Sequence, residues 1–95
     1  MSFLDRFRRK KIDPEVQRRA LLRQSGRIGE ATLLGISSDA EGNEIVSYCY
    51  TVAGVDYETV QQLDEEQLSR KDDYLPGSRV ALRFDPRRPA NSLVV

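Results

Sequence analysis

The sequence predicts a mainly β fold, a small five-stranded antiparallel barrel or sandwich that follows an N-terminal α-helix. Three observations support this. Hydrophobic residues recur with a period of two from Arg27 onward, glycine and proline separate the runs, and 95 residues leave room for one modest core. Five strands with one apolar face must close or stack to cover that face. We therefore divide the chain into a basic N-terminal tail and helix, residues 1–26, and a small antiparallel β domain, residues 27–95.

A helix is expected from about Asp13 to Gln24. Asp13 is a good N-cap, Pro14 suits the first helical position, and Glu15 carries the negative charge that a helix N-terminus favours. Gly26 is expected to end the helix in the left-handed conformation.

The first strand is predicted in RIGEATLLGIS, and the second, around YCYTV, places Val46, Tyr48, Tyr50 and Val52 on one face. Ala53-Gly54 is a candidate two-residue turn, which would pair Val52 with Val55, Tyr50 with Tyr57 and Tyr48 with Thr59. Alanine suits a type I′ turn poorly, so a three-residue loop with a shifted register stays open as the alternative.

The segment LDEEQLSRKDD allows a short helix between strands three and four. Asp64 and Gln67 resemble a capping box, Leu63 and Leu68 have the spacing of a hydrophobic staple, and Glu66 precedes Arg70 by four residues.

Pro76-Gly77 then indicates a turn, and SRVALRFD places Val80, Leu82 and Phe84 inward. NSLVV is expected to be the last strand, after a corner formed by Asp85-Pro86-Arg87-Arg88-Pro89.

Composition limits the chemistry. The chain has no histidine and one cysteine, Cys49, which removes the commonest general base, the commonest metal ligand and any internal disulfide. The carboxylates at 64–66 and 72–73 fit a solvated face better than a metal or acid/base site. We expect no enzymatic activity, no cofactor and no metal. The N-terminus lacks the apolar core of a secretory signal. We therefore expect a cytoplasmic location, with a peripheral position at the inner membrane face as the alternative.

The order GRIGEATLLGI, YCYTVAGVDYET and LPGSRVALRFDPRRPANSLV resembles the small bacterial domains of domain-of-unknown-function family three-five-nine-two, over residues 25–95. The matching positions are Gly29, Ala31, Tyr48, Tyr50, Gly54, Tyr57, Pro76, Gly77, Val80, Asp85, Pro86, Pro89, Ser92 and Leu93. The chain departs from the pattern with Phe84 where tyrosine is usual and without a neighbouring membrane helix. The resemblance implies a fold and assigns no activity, because the family's function is undetermined.

The net charge of zero results from a basic N-terminal part and an acidic remainder. Residues 1–29 carry nine cations against three carboxylates, and the remainder carries six against twelve. The leader, which we define as residues 1–12, combines apolar and basic side chains that could meet a partner or an anionic membrane: Phe3, Leu4, Arg6, Phe7, Arg8, Arg9, Lys10 and Lys11.

Two further features have a structural and a functional interpretation. Arg87 and Arg88 are candidate anion contacts, whereas Asp85, Pro86 and Pro89 are expected to form the corner itself. Tyr48, Tyr50 and Tyr57 could stack nucleic-acid bases, but the acidic body favours core packing.

The function predicted first is a non-enzymatic protein-interaction or accessory module with an unidentified protein partner. A peripheral membrane protein held by its basic N-terminus is the alternative. Nucleic-acid binding through that N-terminus is the third and least favoured hypothesis, and the sequence does not determine the oligomeric state.

Overall fold

The structure, a computed structural model, describes residues 13–95 and confirms the predicted fold class. The elements in chain order are α1 (Pro14–Ser25), β1 (Arg27–Ser38), β2 (Glu44–Val52), β3 (Val55–Gln62), α2 (Glu65–Ser69), a 3-10 turn (Lys71–Asp73), β4 (Arg79–Asp85) and β5 (Arg88–Val94). All neighbouring strands are antiparallel, in the order β3-β2-β1-β4-β5. The sheet curls into a nearly closed barrel, which decides between the barrel and the sandwich.

Helix α1 begins as predicted and ends differently. The Asp13 carboxylate accepts a hydrogen bond from the Glu15 N–H at 2.7 Å, as an N-cap does. Gly26 is extended, with φ −69° and ψ 151°, so the left-handed ending was wrong. Glycine is needed there for space: a Cβ would lie 2.5 Å from the Leu22 carbonyl oxygen and 3.0 Å from the Arg83 Cβ.

The β2–β3 hairpin has the predicted register. Val52 pairs with Val55, and Tyr50 pairs with Tyr57. Ala53 and Gly54 have φ values of 52° and 80°, so the loop has two residues and the three-residue alternative was wrong. Alanine adopts this left-handed conformation at a cost of about 1–2 kcal/mol, which the ladder on both sides offsets.

The barrel core is formed by the inward side chains that the alternation predicted. Tyr48, Leu82 and Phe84 are all buried. The predicted capping box of α2 is confirmed, because the Gln67 N–H donates to Asp64 Oδ1 at 2.8 Å and the Asp64 N–H donates to Gln67 Oε1 at 3.1 Å. Of the two residues of the predicted staple, Leu63 is buried and Leu68 is 41% exposed.

The corner before β5 is shorter than expected. The turn consists of Pro86 and Arg87, while Arg88 and Pro89 already belong to β5. The register then shifts: Asp85 pairs with Arg88, but Phe84 pairs with Ser92. The three intervening residues of β5 therefore bulge out of the ladder, as extra residues in one strand do. The pattern NSLVV missed the start of this strand because the bulge breaks the alternation.

The gap between β3 and β5, which we call the seam, is closed by side chains. The Val94 N–H donates to Gln61 Oε1 at 2.8 Å, and the Val94 carbonyl accepts from Gln61 Nε2 at 2.9 Å and from Gln67 Nε2 at 2.8 Å. Both glutamines are buried. Two amide side chains thus replace a backbone ladder at this point.

Helix α1 lies against β4 and β5, and its Arg19 side chain reaches across the seam to the Gln62 carbonyl of β3. Leu22, its one buried residue, and Leu93 are both buried but lie outside the main core cluster. Leu93 pairs with Arg83, whose side chain is on the outer face of the sheet, so the helix covers that face at β5.

Candidate interaction surfaces

A cleft of about 400 Å³ separates α1 from the turn between β4 and β5. We call it the helix–turn cleft. Its lining is mixed in polarity, because both the helix and the β4–β5 corner contribute apolar and polar side chains, among them Arg18, Leu21, Leu22, Asp85, Pro86, Arg87 and Asn91.

The double arginine lies at and beside the rim of this cleft. Asp85 Oδ1 accepts a hydrogen bond from the Arg87 N–H at 2.9 Å, which confirms that Asp85 and Pro86 shape the turn. Arg87 and Arg88 are exposed, and neither forms an ion pair within residues 13–95. The turn and the start of β5 therefore hold two guanidinium groups in solvent, and within residues 13–95 neither is paired with Asp85 or with another carboxylate.

The arginines of α1 have a different role, because they clamp the helix to the barrel. Arg18 Nη1 donates to Asn91 Oδ1 and to the Ser92 carbonyl, both at 2.9 Å. Arg19 Nη2 donates to the Gln62 carbonyl at 3.0 Å, on the other side of the seam. The part of the basic N-terminal surface that falls on α1 is thus engaged within the molecule.

Glu15 completes this clamp. Its carboxylate meets Arg18 Nε and Arg19 Nε, each at 2.7 Å. The hydrogen bond from Arg18 is the main cause that lowers the pKa of Glu15 from 4.5 to about 2, and the same bond raises the pKa of Arg18. The spacing of Glu15 to Arg18 and Arg19 was a readable signal of this cluster. The hydrogen bond from Arg18 to Asn91, by contrast, could not be predicted from the sequence.

Of the three tyrosines, Tyr48 and Tyr50 belong to the barrel interior, whereas Tyr57 is half-buried and stacks on Tyr50 with ring centroids 5.3 Å apart. Tyr48 and Tyr50 are buried, and their rings stack with centroids 5.9 Å apart. The Tyr48 hydroxyl bonds with Ser92 Oγ at 2.8 Å, and the Tyr50 hydroxyl donates to the Pro89 carbonyl at 2.5 Å. Burial raises the pKa of both phenols.

A polar groove on the outside of the sheet contains Cys49. This half-buried thiol is paired across the ladder with Glu58 on β3 and Thr32 on β1, and Arg79 lines the same groove. Within residues 13–95, no three His, Cys, Asp or Glu side chains are grouped so that they could hold a metal ion.

The leader lies outside the described residues, and so do its candidate contacts Phe3, Leu4, Arg6, Phe7, Arg8, Arg9, Lys10 and Lys11. None of the helices between residues 13 and 95 has the length and apolar character needed to cross a membrane.

Comparison of the chain with protein-family models, curated proteins and solved structures found no match. The resemblance of residues 25–95 to the domain-of-unknown-function family accordingly stays a prediction.

Proposed function

We propose that this chain is a non-enzymatic interaction module that binds an acidic segment of a partner protein in the helix–turn cleft. The observation that carries the proposal is the pairing, at one cleft, of exposed Leu21 with Arg87, which has no carboxylate partner within residues 13–95. Leu21 is 56% exposed. An apolar contact beside a free cation suits a segment that carries both an apolar residue and a carboxylate.

The chemistry of the rim supports this choice of partner. Guanidinium groups bind carboxylates through two parallel hydrogen bonds, and a rigid turn reduces the entropy lost on binding. The Asp85 carboxylate binds the backbone N–H of Arg87 and not its guanidinium group. The N–H donors of the Arg87 side chain are therefore available to a partner. A concave cleft also fits a protruding segment better than a flat surface.

The test compares two double variants of the full chain. Arg87→Ser with Arg88→Ser removes the rim cations, whereas Lys71→Ser with Arg79→Ser removes two exposed cations elsewhere, which form surface ion pairs with Glu44 and Glu30. Both pairs should change the free energy of unfolding by no more than about 0.5 kcal/mol, as surface substitutions do. Poly-L-glutamate serves as the acidic probe, followed by NMR shifts of the Leu21 and Arg87 amides.

We expect the probe to shift these amides in the wild type and in the control pair, and not in the rim pair. Equal binding by the rim pair and the wild type would contradict the cleft as the site. Unfolding of the rim pair would instead show that the double arginine is part of the structure.

Binding to an anionic membrane is the second candidate, and one further observation favours it. Ile28, next to Arg27, is 67% exposed and lies beside Arg83 on the outer face. Exposed aliphatic residues near cations are typical of interfacial contacts, and the leader carries the same combination. Co-sedimentation with anionic and with zwitterionic vesicles tests this candidate, and equal weak binding to both would contradict it.

Nucleic-acid binding through the leader is the remaining hypothesis. It predicts affinity for DNA or RNA that falls steeply with salt and is lost when the leader cations Arg6, Arg8 and Arg9 become serine. Affinity that survives these substitutions would place the site elsewhere.

A further inference from the structure

Strand β3 has an open edge along most of its length. Within residues 13–95 it pairs with β2 alone. Because Val52 and Val55 flank a two-residue turn and form a hydrogen-bonded pair, the backbone groups of Asp56, Glu58 and Val60 point away from β2. The other end of the edge is covered, since the Gln62 carbonyl accepts from Arg19.

This open edge is acidic and partly apolar. Asp56, Glu58 and Val60 share the outer face, and all three are exposed, Val60 by 63%. Thr51 Oγ1 donates to one oxygen of Asp56 at 2.6 Å. Neither carboxylate has an ion pair within the described residues. An added strand that fits here needs cations at alternate positions.

The leader has that pattern. In FLDRFRRKK, Arg6, Arg8 and Lys10 alternate, as Asp56 and Glu58 do on β3. An extended chain advances about 3.3 Å per residue, so the leader is long enough to span the open edge.

The leader also joins the described chain at the right place. Asp13 borders the same cleft as Gln62 and Leu63, at the covered end of β3. A chain that continues backward from Asp13 along β3 reaches Val60, then Glu58, then Asp56, and it runs parallel to β3.

From the open edge, its charge and the position of Asp13, we infer that residues 3–11 dock on β3 of the same molecule as an added parallel strand. Arg8 then lies near Glu58 and Arg6 near Asp56, while Phe7 falls on the opposite face with Tyr57. Such docking covers an edge that could otherwise pair with another molecule. It also makes the leader cations that pair with β3 less available for binding to anionic surfaces. The inference does not depend on the helix–turn cleft.

Amide hydrogen exchange of the full chain, followed by NMR at low salt, provides the test. The decisive variant is Arg6→Ser with Arg8→Ser, and its matched control is Arg9→Ser with Lys11→Ser, which removes the same charge from the other face of the strand. We expect exchange of the Glu58 and Val60 amides to become roughly tenfold faster in the first variant and to change little in the control.

A charge exchange adds a rescue. Asp56→Lys with Glu58→Lys should remove the protection, and Arg6→Glu with Arg8→Glu in the same chain should restore it. Equal effects of the two serine variants would overturn the added strand in favour of general charge attraction. Protection that rises with protein concentration would mean that a second copy covers the edge, which also overturns the inference.

Discussion

Two sides of the barrel are held together by different chemistry. From β3 through β2 and β1 to β4 and β5, backbone ladders join the strands. At the seam, the described contacts come from the side chains of Gln61, Gln67, Arg18 and Arg19. A ladder survives most substitutions because its hydrogen bonds belong to the backbone. The seam depends on the identity of a few residues, so the two sides should respond differently to mutation.

The largest expected loss of stability comes from a substitution on the ladder side. There a change in a core side chain should matter more than a change in side-chain hydrogen bonding. Phe84→Ala removes a buried ring that packs against Gly29, and the free energy of unfolding should fall by about 3–5 kcal/mol. Urea unfolding measures this loss, and Arg79→Ala, exposed on the same strand, is the control. An unchanged midpoint for Phe84→Ala would mean that the inward face is wrongly assigned.

The seam should be nearly as sensitive to a single polar change. Gln61→Leu keeps the volume of the side chain but leaves the buried Val94 N–H without its acceptor, which should cost about 2 kcal/mol. Gln62→Leu, at the exposed neighbouring position, makes the same chemical change and should have little effect. Similar urea midpoints for the two variants would remove the contrast between seam and ladder.

The smallest effect concerns the clamp of α1 across the seam. Since the pKa of Glu15 is lowered from 4.5 to about 2, its stabilisation is present above about pH 4.5 and is lost as the pH falls toward about 2. The carboxylate is about half exposed, so solvent limits the contribution to at most about 1 kcal/mol.

Glu15→Gln should remove this part of the acid dependence, measured as urea midpoints across that pH range. Glu41→Gln, in the exposed loop between β1 and β2, provides the control. If Glu15→Gln and the wild type lose stability in parallel, the clamp contributes nothing measurable.

The ladder side could be predicted from the sequence because its signals are local. Alternation placed Tyr48 and Leu82 inward, and the Ala53-Gly54 turn set the register of β3. The seam could not be predicted in this way. Glutamine and arginine are mostly surface residues, and nothing in the order of residues indicates that Gln61 reaches Val94.

The candidate surfaces show the same difference between features with a local signal in the sequence and features that depend on long-range packing. The exposure of Arg87 and Arg88 could be predicted, because Asp85-Pro86 is a local signal for a turn and turns lie at the surface. The cleft beside them could not, because it exists only once Leu22 of α1 is buried against the barrel and Leu21 and Arg87 come to line the same cleft. Long-range packing, with no local pattern, creates that surface.

The side-chain seam also bears on how long the closed barrel lasts. Its contacts join residues 33 and 74 positions apart, whereas the hairpin ladder joins near neighbours. Contacts between distant residues are slow to form, so the hairpins should assemble before the seam. Weakening Gln61 or Arg18 should therefore shorten the lifetime of the closed state while leaving the rate of its formation almost unchanged. The barrel should open transiently along this line before it unfolds elsewhere.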